Sequence, residues 1–159
     1  MAAVLPFERR SFAEIVAMIR LIFPCEDAPE FFLTPGSIRH ILTLGGVKAE
    51  RQRIPNWKSY ECGACGISDE EFVAMLFAPL RPAPDETVVA ITDDCFSEGR
   101  QLGFAVRFGD LLPFARDVYP TLFSPPVAFF QPLDMIIVAE KSTLLVMLHH
   151  EGWWTQYAG

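Results

Sequence analysis

Residues 134–150 read Asp-Met-Ile-Ile-Val-Ala-Glu, then Lys-Ser, then Thr-Leu-Leu-Val-Met-Leu-His-His. Two runs rich in β-branched and large apolar residues flank a short polar break, which predicts two strands joined by a tight turn. Within each run the residues are apolar on both faces of the expected strand. Strands of this kind lie in the middle of a sheet that is covered on both sides. We therefore expect this hairpin to form the centre of the fold.

The N-terminal half of the chain carries helix signals. Ser11 and Glu14 have the spacing of a capping box, and apolar residues then repeat at helical intervals until Pro24. Because few residues in this run are charged, most of the helix circumference is expected to be buried. Two further helices are predicted, one over residues 36–44 and one that starts at Ser68 and buries Phe72, Val73, Leu76 and Phe77.

From Thr87 onward the pattern changes to strands. Residues 87–92 and 104–108 are predicted strands, and Gly109 begins a helix that ends before Pro120. With the hairpin, this predicts an α+β fold with N-terminal helices followed by a mostly antiparallel sheet of about four strands and one inserted helix. The length of 159 residues predicts a single domain, residues 1–159.

Composition limits the classes of partner. Apolar residues make up 51% of the chain, which excludes a disordered protein. The net charge of −7 argues against nucleic acid and against an anionic membrane surface, because phosphate binding requires clustered Lys and Arg. It suits a basic protein or a cationic ligand as partner, although acidity alone also keeps a protein soluble. Without a signal-peptide pattern or a membrane-length apolar run, we expect a cytoplasmic protein with reduced cysteines.

One segment, residues 48–58, is basic. Its positive charges are Lys48, Arg51, Arg53 and Lys58. The segment fits a small anion-binding or nucleic-acid-binding patch, in which Trp57 would supply a stacking surface. It also fits a solvated loop, which is the interpretation that we favour.

Cys62 and Cys65, separated by Gly-Ala, form the sharpest local motif. Two thiolates at this spacing can hold Zn²⁺, but a structural site needs four ligands and the chain has no second such pair. The missing ligands would have to come from distant positions such as Cys25, Cys95, His40 or His149. The spacing also suits a redox pair, but no strand precedes it and no helix begins at it. We therefore predict no metal site and no cofactor.

His149, His150 and Glu151 close the last predicted strand. Neighbouring strand positions point to opposite faces, so both histidines cannot bind one metal without distortion. One of them could act as a general base oriented by Glu151 or Asp94. No nucleophile motif accompanies them, so we do not expect an enzyme.

Five residues form the predicted partner-binding site: Asp93, Asp94, Glu98, Trp153 and Trp154. The carboxylates could bind Mg²⁺ or Ca²⁺, but they lack calcium-loop spacing and equally form a negative patch for Lys and Arg of a partner. The tryptophans suit an interface anchor. Alternatively, at least one of them folds back onto the core.

The segment 93–151 resembles a known class of proteins. It contains a strand ending Thr-Asp-Asp-Cys-Phe, then Leu-Gly-Phe-Ala-Val-Arg-Phe-Gly-Asp-Leu, then a hairpin ending Leu-His-His-Glu-Gly. In a small acidic chain this combination resembles the immunity proteins of bacterial toxin systems, including those of contact-dependent growth inhibition. The resemblance implies a stoichiometric inhibitor that covers the active or substrate-binding surface of a cognate basic toxin domain, such as a nuclease.

Two alternatives remain open. The first is a small enzyme or ligand-binding domain that uses His149 or His150 with a carboxylate. The second is a zinc-stabilised adaptor built on Cys62 and Cys65. The sequence does not fix the oligomeric state under any of the three interpretations.

Overall fold

An antiparallel sheet is the main element of the computed structural model. The structure describes residues 5–23, 47–55, 57–58, 71, 74–75, 77–78, 80–92, 102–123, 126, 135–149 and 151–158. Its strands are β1 (Glu8–Ser11), β2 (Ala49–Arg53), β3 (Thr87–Thr92), β4 (Leu102–Arg107), β5 (Met135–Ala139), β6 (Leu144–His149) and β7 (Trp153–Ala158). Across the sheet their order is β1-β4-β3-β5-β6-β7-β2. Helix α1 (Phe12–Ile22) follows β1 directly.

The predicted central hairpin is confirmed. β5 is the fourth of the seven strands, and it pairs with β6 from Met135 opposite Leu148 to Ala139 opposite Leu144. Every residue of β5 is buried, as is β6 up to Leu148. The turn is longer than predicted, because it covers residues 140–143 and closes with an N–H donated by Thr143 to the carbonyl of Glu140 at 3.1 Å.

Helices cover the two faces of the sheet. On one face, a Cβ added to Gly103 would lie 2.8 Å from Cγ1 of Val89 and 3.0 Å from Cδ1 of Ile15, so α1 lies close against β3 and β4. On the other face, the Phe104 ring lies 5.8 Å from Phe114 and 5.5 Å from Tyr119 between centroids. This double coverage explains why β3 and β4 are apolar on both sides.

The inserted helix, α2, spans residues 108–122. It is built from consecutive 3₁₀, α, π and 3₁₀ segments: Phe108–Asp110, Leu111–Pro113, Phe114–Val118 and Tyr119–Leu122. The prediction that it ends before Pro120 is wrong. Pro120 is the second residue of the last 3₁₀ segment, which continues the helix to Leu122. Tyr119 also fixes this end, because its hydroxyl lies 2.7 Å from Oγ1 of buried Thr92.

The prediction of about four strands is wrong, because the described residues alone form a sheet of seven. The expected solvated loop over residues 48–58 contains strand β2, whose five side chains are all exposed. β1 is a second edge strand, with the sequence Glu-Arg-Arg-Ser. Neither strand has the apolar alternation that identifies a half-buried strand, since an edge strand with exposed side chains does not need it.

Helix α1 begins as predicted. The N–H of Ser11 donates to Oε2 of Glu14 at 2.8 Å, and the N–H of Glu14 donates to Oγ of Ser11 at 3.4 Å, which completes the capping box. The expectation that most of its circumference is buried is wrong. Ala13, Ala17 and Leu21 are exposed, because α1 packs on the sheet along one stripe.

The other two predicted helices are described only in part. The helix over residues 36–44 lies outside the described residues. In the helix predicted from Ser68, Phe77 is buried, and the N–H of Ala78 donates to the carbonyl of Ala74 at 3.0 Å.

Candidate functional site

Two arginines and a tryptophan form a cluster at the β2 edge of the sheet, which we call the Arg–Trp cluster (Arg51, Arg53 and Trp153). Arg53 of β2 lies directly opposite Trp153 of β7, and Arg51 lies two positions along the same face. The guanidinium carbon of Arg51 is 4.1 Å from the centroid of the Trp153 ring, and that of Arg53 is 4.3 Å away. These distances define two cation–π contacts on one half-buried ring.

Within the described part of the chain, the positive charges of this cluster are not paired with carboxylates. Among the described residues, no carboxylate forms an ion pair with Arg51 or Arg53, although the chain carries a net charge of −7. Both side chains are exposed. A cation–π contact does not consume guanidinium N–H donors, so both arginines can still bind a carboxylate or another anion.

Gly152 and Trp57 pack against each other at the turn that precedes Trp153. Gly152 has a φ of 81°, and its N–H donates to the carbonyl of His149 at 2.8 Å to close the β6–β7 turn. A Cβ on Gly152 would lie 2.5 Å from Cγ of Trp57. Trp57 is only 6% exposed, so it packs beneath this turn and is not available as a stacking surface for a nucleic acid.

His149 belongs to the same turn. Its Nδ1 accepts the N–H of Glu151 at 3.3 Å, and a carboxylate oxygen of Glu151 lies 3.9 Å away. The expectation that these residues close the last strand is wrong, because β7 follows them. This hydrogen bond directs the Nδ1 of His149 toward the backbone of its own turn. His150 lies outside the described residues.

The predicted partner-binding residues have different outcomes. Trp153 is half-buried within the Arg–Trp cluster. Trp154 is 4% exposed and belongs to the core, so a partner cannot reach its ring in this structure. Asp93, Asp94 and Glu98 lie outside the described residues, in the segment that follows Thr92 at the end of β3.

The cysteines Cys25, Cys62, Cys65 and Cys95, together with His40, lie outside the described residues. In the part of the chain that the structure describes, no three or more His, Cys, Asp or Glu side chains are grouped to hold a metal ion. In the same part, no helix is long and apolar enough to span a membrane.

Glu86 is a residue that sequence reasoning missed. It is 4% exposed, and its carboxylate accepts the N–H of Ser142 at 2.8 Å and also the hydroxyl of Ser142. Its carbonyl accepts the N–H of Phe108 at 2.8 Å. Glu86 therefore connects the start of β3 to the β5–β6 turn and to the start of α2. A charged residue before a strand gives no signal of such a role, because Ser142 is distant in the chain.

A groove of about 290 Å³ lies between α1 and the sheet, at the end opposite the Arg–Trp cluster. It is lined by Arg10, Glu14, Ile15, Met18, Thr87, Val89 and Glu140. Arg10 is paired with Glu8 at 2.8 Å and with Glu14 at 3.4 Å. The hydrogen bond from the Ser11 N–H, followed by that from the Ser11 hydroxyl, holds the pKa of the Glu14 carboxyl below its ordinary value. Arg10 is thus paired within the chain, and the two carboxylates of the lining, Glu14 and Glu140, leave the groove negative.

Comparisons of the chain with protein-family models, with curated proteins and with solved structures find no match. Its function is therefore argued from the arrangement of its own residues.

Proposed function

We propose that this chain is an immunity-type protein that binds a cognate toxin domain and neutralises it by covering its active or substrate-binding surface. The observation that carries the proposal is the Arg–Trp cluster on an exposed sheet edge. Tryptophan and arginine are enriched among the residues that contribute most to binding at protein interfaces. Trp153 is held in place by Arg51 and Arg53, so it loses little conformational freedom when a partner packs on it.

Strand β3, which directly precedes Asp93 and Asp94 in the chain, ends at the same end of the sheet as the Arg–Trp cluster. Thr92 of β3 pairs with Met135, Met135 pairs with Leu148, and Leu148 pairs with Trp154. The end of β3 is thus three strands from the start of β7, or about 14 Å at the usual strand spacing. Asp93 and Asp94 follow Thr92 directly in the chain. We propose that these carboxylates meet Lys and Arg of the toxin.

The proposed mechanism is occlusion and needs no chemistry from this chain. The net charge of −7 would speed the encounter with a basic partner, and packing around Trp153 would set the lifetime of the complex. Inhibition would then be stoichiometric, and catalytic turnover would be absent.

The test begins with capture of partners on the tagged full-length chain from lysate of its source. A captured basic protein is then purified, and its own activity is measured as the chain is added. We expect activity to disappear at one equivalent, with formation of a one-to-one complex. A partner that retains full activity at saturation would contradict the proposal.

Charge reversal tests which end of the sheet is used. Asp93→Lys with Asp94→Lys should slow association and weaken its salt dependence. The matched control is Asp85→Lys with Glu140→Lys, two exposed carboxylates at the opposite end of the central strands. Equal effects of the two double variants would show that overall charge matters and that the proposed surface is wrong.

A further inference from the structure

We propose that the outer edge of β2 binds an extended acidic segment of a partner protein as an added, eighth strand. The inference rests on the geometry of β2 and stands whether or not the partner is a toxin.

The first step concerns the direction of the backbone groups. The N–H of Ile54 donates to the carbonyl of Gly152 at 2.9 Å, which continues the β2–β7 ladder by one residue. Hydrogen-bonded and non-hydrogen-bonded positions alternate in an antiparallel ladder, so Gln52 and Glu50 also face β7. The N–H and carbonyl groups of Ala49, Arg51 and Arg53 therefore point away from the sheet and are placed to pair with another strand.

The second step concerns the side chains of the same residues. Arg51 and Arg53 are the outward-pairing positions, and both guanidiniums lie on the face that carries Trp153. A residue of an added strand directly opposite Arg51 places its side chain on this face, about 5 Å away. The residue two positions away on the added strand lies opposite Arg53. Carboxylates at alternate positions would therefore meet both arginines while the backbone pairs with β2.

The other face of β2 defines the intervening positions. Glu50 and Gln52 are exposed there. A carboxylate opposite Glu50 would be repelled, so these positions favour neutral or basic side chains. The segment that fits β2 best thus alternates acidic residues with neutral, β-branched ones over about five residues.

A second copy of this chain fits the edge poorly. Two copies that extend one sheet through antiparallel β2 strands are related by a two-fold axis perpendicular to the sheet. When the axis passes beside Arg51, Arg51 of one copy lies opposite Arg51 of the other. When it passes beside Gln52, Arg51 of each copy lies opposite Arg53 of the other. When it passes beside Glu50, Glu50 of one copy lies opposite Glu50 of the other. Like charges directly opposite one another destabilise these three registers, in which most of β2 is paired, so the exposed arginines favour a partner of opposite charge as the occupant.

The experiment titrates the isotope-labelled full-length chain with a synthetic peptide of about seven residues that alternates Glu with Thr or Val and has blocked ends. We expect saturable shifts in the backbone amide signals of Ala49, Arg51 and Arg53. A peptide with Lys in place of each Glu should bind about tenfold more weakly or worse. Equal affinity for the two peptides, or shifts centred on other strands, would overturn the proposal.

Two further comparisons separate strand addition from simple charge attraction. The first comparison keeps the protein unchanged and uses two peptides, each N-methylated at one of the two sets of alternate residues. Only the peptide whose methylated amides face β2 should lose binding. The second comparison uses the double variant Arg51→Glu with Arg53→Glu. It should bind the Glu peptide about tenfold more weakly and should prefer the Lys peptide. Arg9→Glu, an exposed arginine on the opposite edge strand, serves as the control that keeps the affinity. Similar losses for both N-methylated sets would show that no strand is added.

Discussion

The two edges of the sheet are both short and charged, yet they treat their arginines differently. On β1, Arg10 is paired with Glu8 at 2.8 Å and with Glu14 at 3.4 Å. On β2, Arg51 and Arg53 lie over the Trp153 ring, and no carboxylate among the described residues pairs with them. Charged side chains on both edges discourage uncontrolled pairing between sheets. The β2 edge keeps two such positive charges on one face, beside the Trp153 ring, where an outside carboxylate can neutralise them.

The continuation of the chain explains part of this difference. β1 ends at Ser11, which is also the N-cap of α1, and the carboxylate of Glu14 accepts its N–H at 2.8 Å. A helix cap thus brings a carboxylate beside Arg10. β2 leads instead into Ile54 and Trp57, which are buried against the β6–β7 turn. This connection supplies aromatic surface and no negative charge.

The strongest test of the β2 edge is Gly152→Ala. A Cβ at this position would lie 2.5 Å from Trp57, and the φ of 81° is unfavourable for alanine. We expect a loss of about 3 kcal/mol in the free energy of unfolding, measured by chemical denaturation. Gly109→Ala is the matched control, because its nearest contact would be 3.1 Å and its φ is not positive. Equal losses for both variants would show that Trp57 and Gly152 do not support this edge.

The contrast between the edges depends on a fixed sheet between them, and Glu86→Ala tests that support. The change removes two acceptors of Ser142 at a buried position and leaves the Ser142 N–H without this partner. We expect a loss of about 2 kcal/mol in unfolding free energy. Ser142→Ala should cost less, because it keeps the backbone bond to Glu86. A larger effect of Ser142→Ala would contradict the role assigned to the Glu86 carboxylate.

Trp153→Ala removes the feature that distinguishes β2 from β1. Two cation–π contacts disappear, so we expect a loss of about 1 to 2 kcal/mol in unfolding free energy and greater mobility of both arginines. Trp153→Phe should recover part of the stability. Thermal unfolding and side-chain relaxation of the arginines would measure both effects. Unchanged arginine mobility in Trp153→Ala would mean that the ring does not order them.

The β1 edge should respond to acid through Glu14. Its carboxyl pKa is held below the ordinary value of 4.5, first by the Ser11 N–H and then by the Ser11 hydroxyl. A lowered pKa in the folded state means that the contribution to stability is complete above the unfolded-state value and is lost as pH falls through the folded-state value. We therefore expect no change in this contribution between pH 7 and about pH 5, and a small loss below it.

Glu14→Gln is the variant that checks this acid response. The difference in unfolding free energy between wild type and Glu14→Gln should shrink below the ordinary carboxyl pKa. A difference that is constant across the acid range would show that the charge of Glu14 does not stabilise the α1 cap.

The sequence predicts those parts of the fold whose stabilising interactions are local or periodic. The hairpin over residues 134–150 is apolar at nearly every strand position, and it forms the central strands. Ser11 and Glu14 are three residues apart, so their capping box is readable without any tertiary information. In both cases the interacting residues, or the pattern that buries them, lie within one short stretch of the chain.

The candidate site could be predicted only in part. The sequence predicts an interface role for Trp153 from its residue type, which stays a prediction, and it predicts a loop where β2 lies. The register that brings Arg53 opposite Trp153 joins residues 100 positions apart, and polar edge strands carry no pattern that reveals it. The burial of Trp154 could not be predicted from the sequence either. Adjacent residues on a strand face opposite sides, and only the fold decides which of the two rings is buried.

By itself, the sequence determined an apolar central hairpin, the start of α1 and an acidic chain. The tertiary structure decided that three more strands extend the sheet, that Glu86 fastens the β5–β6 turn, and that two arginines share one tryptophan ring. The physical reason is the separation in sequence over which each interaction acts. Burial periodicity and capping act over a few residues, whereas edge pairing and cation–π contacts depend on which distant segments meet.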